Sequence, residues 1–193
     1  MKIYDISQEV FSCVVFPGDP APQREVLNTI ASGGLYNLTA FSMCAHNGTH
    51  VDAPFHFIRD GKTLEQMDPE VFVGRCYVAR HTGPVTEADA KNILARGNQP
   101  QRLLIAGAAT VTAEAARVFA AEKLLLVGNE SQTVGPEDGP MQVHLILLGS
   151  GIALLEGVVL KDVPEGSYFL SAAPLNLAGA DGAPCRALLI AGL

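Results

Sequence analysis

The sequence predicts a single mixed α/β domain, and three observations carry that expectation. Short apolar runs have strand character, two helical stretches open on threonine caps, and the two kinds of segment alternate as strand, helix, strand. Residues 1–6 and 35–45 alternate or run apolar in the manner of strands, and Pro17-Gly18-Asp19-Pro20-Ala21-Pro22 between them reads as a loop placed to cover a site. Further on, Arg59-Asp60-Gly61-Lys62 reads as a turn and 75–80 as a strand. Thr86-Glu87-Ala88-Asp89 has the form of a capping box with Asp in place of Glu, opening a helical pattern that Gly97 ends. A short buried strand is expected at 103–106, an alanine-rich helix capped by Thr112 and running to Ala121, and a returning strand at 124–127. No repeat or low-complexity linker divides the chain. Its 193 residues, 48% of them hydrophobic, suffice for one well-buried core, so the domain is expected to span 1–193.

Function is concentrated in His46-Asn47-Gly48-Thr49-His50-Val51-Asp52-Ala53-Pro54-Phe55-His56, which holds three of the chain's five histidines and a carboxylate. On a helix His46 and His50 share a face while Asp52 points away, and Gly48, Thr49, Val51 and Pro54 make a poor helix. On a strand all four candidates face one way, but full extension spreads positions 46 to 52 over roughly 20 Å. The segment must therefore bend. Asn47-Gly48 tolerates positive φ, and Pro54 biases Ala53 away from the helical region. A lone histidine beside apolar residues is more often a hydrogen-bonded core or surface group than a ligand. Three around one aspartate read as a metal site, whose nitrogen and oxygen donors suit zinc, manganese or ferrous iron.

A second cluster pairs His144 with Glu156 in an otherwise apolar stretch. A carboxylate among Ile152, Leu154, Leu155, Val158 and Val159 is expected to be buried, where an unpaired charge is costly. A metal is one partner for it; the other reading places Glu156 at a strand end, facing solvent or an arginine. Glu130 reads equally as a pocket residue or a solvated loop glutamate, and His81 as part of a surface turn.

The formal charge of −7, with thirteen scattered basic residues, excludes a nucleic-acid or anionic-membrane surface and leaves small molecules as the expected partners. The cysteines, Cys13, Cys44, Cys76 and Cys185, form no CxxC pair and are expected as buried thiols, with Cys44 in strand core. With neither a leader pattern nor an apolar run of membrane length, the chain is expected to be soluble and cytoplasmic. Its apolar excess predicts a homo-oligomer, a homodimer or homotetramer.

The run HNGTHVDAPFHF resembles the HxGTHxDxPxH signature of the cyclase-like metal hydrolases, the family of bacterial kynurenine formamidase and isatin hydrolase. Phe16-Pro17-Gly18-Asp19, the stretch from His144 to Glu156, Ala173-Pro174-Leu175 and Asp181-Gly182-Ala183-Pro184-Cys185-Arg186 are similar to the same family in the same order, so the resemblance spans nearly the whole chain. It implies a swivelling β/β/α fold. It also implies that His46, His50 and Asp52 bind one metal, that Asp52 reaches a second, and that His144 and Glu156 complete the pair, with two divalent ions per chain, zinc or manganese. His56 is implied as the proton-transferring residue and Phe16 as a substrate contact, in a position where formamidases of the family often carry tryptophan. The implied reaction is hydrolysis of an aryl formamide such as N-formylkynurenine by a metal-activated water. Opening of an isatin-type cyclic amide is the alternative, and a metal- or ligand-binding protein without turnover a further one.

Overall fold

Alternating strands and helices build one curled mixed sheet with its helices on one face. The computed structural model describes residues 1–192. In chain order the elements are β1 (Lys2–Asp5), β2 (Gln23–Asn28), β3 (Leu38–Ser42), β4 (His50–Asp52), β5 (Val73–Arg80), β6 (Gly83–Val85), α1 (Glu87–Arg96), β7 (Arg102–Ala106) and β8 (Ala109–Val111), then α2 (Ala113–Ala121), β9 (Leu126–Asn129), α3 (Met141–Gly149), β10 (Ala153–Glu156), β11 (Gly166–Ser171), β12 (Gly182–Pro184) and β13 (Leu188–Ala191). Nine strands form the main sheet in the order β1-β13-β11-β5-β7-β9-β10-β4-β12. Its middle, β5-β7-β9-β10, is parallel, and the remaining pairings are antiparallel. The paired strands β2 and β3 form a separate hairpin, and β6 pairs with β8.

The parallel middle follows from the two crossover helices. Thr86 caps α1 and exchanges hydrogen bonds with Asp89 as a capping box, Gly97 stands at its C-cap, and the Thr112 side chain accepts from Ala115 N at the start of α2. Period-two alternation then sorts each central strand between two apolar layers. Tyr77, Ala79, Leu103, Ile105 and Leu154 pack under the helices with Ile93, Leu94, Phe119 and Leu147. Val78, Leu104, Ala106, Leu126 and Leu155 turn the other way, into the layer enclosed by the curl with Ile6, Val51, Leu170 and Leu189.

Several boundaries differ from the sequence expectation. The returning strand lies at Leu126–Asn129, two residues later than expected, because Lys123 takes positive φ (57°) and closes the turn after α2. The strand expected at 35–45 is trimmed to Leu38–Ser42, and its partner Gln23–Asn28, straight after the proline-rich loop, was not foreseen. Cys44 is consequently not in strand core: it lies beyond β3, half-buried, with Sγ 3.7 Å from Asp19 Oδ2. Of the four thiols only Cys76 is buried. Among the described residues no helix is long and apolar enough to cross a membrane.

Candidate metal centre

The bend required of residues 46–56 is built from three local devices. Gly48 adopts φ +63°, a conformation that a side chain disfavours, and turns the chain into β4. β4 is a three-residue strand, and Ala53 is extended (φ −88°, ψ 157°) ahead of Pro54, which opens the 3₁₀ turn Pro54–His56. Strand alternation points His50 and Asp52 to one face and Val51 into the enclosed apolar layer.

Sheet register supplies the partner from the far half of the chain. β4 lies antiparallel between β10 and β12, with His50 opposite Glu156 and Asp52 opposite Gly182. Glu156 thus stands beside His50 as a cross-strand neighbour. His144 comes from α3, packed above them, its ring 4.7 Å from that of Phe57. His50, Asp52, His144 and Glu156 are each no more than 3% exposed.

Backbone carbonyls set the tautomers of the two buried histidines. A carbonyl only accepts, so His50 Nδ1–H donates to Gly48 O (3.0 Å) and His144 Nδ1–H to Pro140 O (2.9 Å), and each presents Nε2 to the carboxylates. His50 Nε2 lies 3.4 Å from Asp52 Oδ1 and 3.5 Å from Glu156 Oε2; His144 Nε2 lies 3.6 Å from Asp52 Oδ2 and 3.4 Å from Glu156 Oε1. These separations are too long for charge-assisted hydrogen bonds, which run about 2.7–2.9 Å. They match the edge of a tetrahedron with bonds of about 2.0–2.2 Å, roughly 3.3–3.6 Å. Asp52 Oδ2 is buried without a hydrogen-bond partner, whereas Glu156 Oε1 accepts from Val134 N at 2.8 Å. The residues fit a divalent cation: two buried carboxylates and two aimed imidazole nitrogens converge, and one oxygen has nothing else to bind.

The field of this cluster is negative. Burial opposes the charged form of His50, yet Asp52 and Glu156 outweigh it and lift the pKa to about 10. His144 is raised in the same way, its burial overcome chiefly by Glu156. Asp52 is held well below the ordinary carboxylate range, against the burial that would raise it, by His46 and His50.

His46 sits at the mouth, with Nδ1 2.8 Å from Asp52 Oδ1 and Nε2 2.9 Å from Asp181 Oδ2. Burial works against its protonation, but Asp52 more than compensates and its pKa is raised. His56 stacks on it, ring centroids 4.0 Å apart, and its Nδ1 lies 3.2 Å from the same Asp181 oxygen. Burial lowers the pKa of His56, so its imidazole is neutral at pH 7. Two trios, His46 with Asp52 and His56, and His50 with Asp52 and Glu156, bring a ligand atom from each member to within 4.8 Å of the others. By distance alone, His56 therefore belongs with the candidate ligands as well as with the proton carriers.

All six clustered positions read from the sequence, His46, His50, Asp52, His56, His144 and Glu156, meet here, and all but the buried Asp52 line a cavity of about 260 Å³ that Phe16 and Asp19 also border. The proline-rich loop thus approaches the site, as its sequence position predicted. The solvent-facing or arginine-paired reading of Glu156 is not observed. Glu130 lies outside this cavity and clamps backbone instead, accepting from Gly107 N (2.6 Å) and Leu160 N (2.8 Å). His81 hydrogen-bonds Pro84 O on another part of the surface. Sequence reasoning missed a role for Asp181, as well as Gln132 and Thr133, which line the cavity and carry buried side-chain oxygens without partners. An aspartate beside a glycine reads as a turn, and only the pairing of β12 with β4 brings it to the histidines.

Comparison with known proteins agrees with this geometry. The family described as putative cyclase matches residues 4–135. The chain belongs to that family. Among similar members, the kynurenine formamidase of Polaromonas naphthalenivorans is 32% identical, covering 98% of this chain and 91% of its own. That of Paracidovorax citrulli is 34% identical, covering 97% and 95%. A solved cyclase-fold neighbour described as a predicted metal-dependent hydrolase, from Bacillus stearothermophilus, is 29% identical with a TM-score of 0.79, covering 97% of each chain. Isatin hydrolase A from Labrenzia aggregata, at 22% identity, shares the fold with a TM-score of 0.83 over 99% of this chain and 94% of its own.

Proposed function

We propose that the chain, as one domain over 1–193, is a metal-dependent hydrolase of non-peptide carbon–nitrogen bonds. Its substrate is N-formylkynurenine or a similar aryl formamide. The observation that carries this reading is the convergence of His50, His144, Asp52 and Glu156 at 3.4–3.6 Å around an unpartnered carboxylate oxygen, at the floor of a cavity. Kynurenine formamidase relatives that align along nearly the whole chain support the substrate class.

In this reading His46, His50 and Asp52 would hold one divalent ion, and Asp52, His144 and Glu156 a second, each zinc or manganese. Bound cations supply a Lewis-acidic centre that polarises an amide carbonyl and lowers the pKa of water. The protein's own residues do the rest. The carbonyls of Gly48 and Pro140 keep two imidazoles aimed. As water oxygen bonds to the formyl carbon, neutral His56 takes up the proton that the water gives up, and as the carbon–nitrogen bond breaks it passes that proton to the nitrogen, which leaves as an arylamine while formate departs. Phe16 borders the ring-binding side of the cavity.

The chain works in the cytoplasm on a small molecule, without nucleic acid or membrane, as a homodimer or homotetramer. Val26, Leu27, Ile30, Leu35, Tyr36 and Phe41, on and around the β2–β3 hairpin, are each more than half exposed. A two-stranded hairpin is marginal alone, and stable interfaces bury about 800 Å² per partner, an area of the order these side chains offer.

The test is formate release from N-formylkynurenine, and ring opening of isatin, by protein loaded with zinc or manganese, beside a chelated control. Metal-dependent formate release with His56→Ala reduced about 100-fold or more supports the reading. Turnover of isatin alone transfers it to cyclic amides, and no turnover of either by verified metal-loaded protein overturns it.

A further inference from the structure

Asp181 is a carboxylate in direct reach of two of the clustered histidines, and the proposed reaction gives it no part. Its side chain is 44% exposed, yet its backbone is fastened on both sides. Asp181 O accepts from Ala53 N at 2.8 Å, Ala180 O accepts from Leu64 N at 3.0 Å, and the next residue enters β12 opposite Asp52. Gly182 keeps the space beside it open: a Cβ there would lie 2.7 Å from His46 Cε1 and 2.7 Å from Val51 O. The ring of His46 therefore lies against bare backbone, within reach of the Asp181 carboxylate.

One oxygen of that carboxylate serves two rings. Oδ2 lies 2.9 Å from His46 Nε2 and 3.2 Å from His56 Nδ1, and the rings stack at 4.0 Å with 30° between their planes. An ionised carboxylate only accepts, so each of these nitrogens carries a hydrogen. By the same rule His46 Nδ1 donates to Asp52 Oδ1 at 2.8 Å in the metal-free chain, whereas His56 keeps Nε2 as its uncommitted nitrogen on the cavity wall. A carboxylate behind a ligating imidazole is the usual device for fixing ring orientation and tautomer. Here the same oxygen also reaches the ring expected to move the proton.

We propose that Asp181 is a positioning residue that locks His46 and His56 as a pair, committing His56 to the Nδ1–H tautomer. This inference rests on the hydrolase reading for its catalytic consequence, but its structural core does not. Aligning both rings on one fixed oxygen couples ligand placement to proton-carrier placement, so a shift of β12 displaces the two together.

The experiment is nitrogen-15 NMR of histidine-labelled, metal-free protein, wild type with Asp181→Asn and Asp181→Ala. It is paired with metal equivalents per chain and with kcat and KM for an aryl formamide. The expected result is a neutral His56 with its hydrogen on Nδ1 in wild type, kept in Asp181→Asn, whose amide oxygen still accepts, and lost to a tautomer mixture in Asp181→Ala. In Asp181→Ala, kcat is expected to fall about 10- to 100-fold with KM within about twofold, with Asp181→Asn recovering most of the loss. A hydrogen on His56 Nε2 in wild type overturns the proposal without the need of any variant, and so does a tautomer unaffected by Asp181→Ala. If wild type hydrolyses no formamide but the tautomers behave as expected, the hydrolase reading fails and the positioning role stands.

Discussion

Replacing Glu156 by glutamine separates the metal's contribution to stability from that of the polypeptide. The candidate ligands at 50, 52, 144 and 156 come from β4, α3 and β10, elements that meet only in the folded chain, so a bound cation stabilises the native state and has almost no affinity for the unfolded one. At a free metal concentration about 100 times Kd the linkage term is about 2.7 kcal/mol. For a chain of this size, where 1 kcal/mol moves Tm by about 2–4 °C, the shift is about 5–11 °C. Glutamine preserves volume, and its amide oxygen can still accept from Val134 N–H, so the metal-free fold is expected to survive. It removes one of the two carboxylates that face both His50 and His144. Differential scanning calorimetry of chelated and zinc- or manganese-titrated samples should give the full shift for wild type and less than about a third of it for Glu156→Gln. Equal shifts in both proteins, or no shift in wild type while elemental analysis finds bound metal, would refute the reasoning.

Other expectations rest on parts of the fold outside the site. Arg102 is buried with no carboxylate partner among the described residues, its guanidinium donating to the carbonyls of Val71 (3.0 Å), Arg75 (3.3 Å) and Glu70, so Arg102→Met should cost about 2–4 kcal/mol in urea unfolding; a loss below about 0.5 kcal/mol would show that those carbonyls find water instead. Burial pushes the Cys76 thiol up to about 12, against about 8.5 for an unfolded cysteine. The folded chain therefore keeps this proton while the unfolded chain releases it. The associated stability is complete below about pH 8.5 and declines by about 1.4 kcal/mol per pH unit as the pH rises toward 12, a slope that Cys76→Ala should flatten in alkaline denaturation curves. Light scattering should give at least twice the chain mass of 20.3 kDa, with Leu35→Asp shifting the population toward monomer; a monomeric wild type at micromolar concentration would remove the oligomer from the reading.

Local chemistry made much of the molecule legible. The caps at Thr86 and Thr112 are read from residues within one helical turn, and both helices begin there. The eleven-residue motif announces its own bends, because glycine and proline restrict or free the backbone whatever surrounds them. Glu156 was legible as a buried carboxylate because it stands alone among apolar neighbours. The errors fall where packing decides: Cys44 follows a strand-like run yet lies in a loop, and β2 owes its strand conformation to pairing with β3, since its own residues are almost all exposed.

The sequence by itself determined which side chains carry the chemistry, since residue type, spacing and the cost of burying a charge are properties of the chain. Tertiary structure decided the distances. Register between β4 and β10 sets His50 opposite Glu156 across 106 positions of sequence, and the placement of α3 over that pair brings in His144. The β12 pairing delivers Asp181 to two histidines that nothing in its own neighbourhood foretells. Contacts of this kind depend on long-range strand order, which period-two alternation cannot encode, because every register that differs by two residues presents the same face.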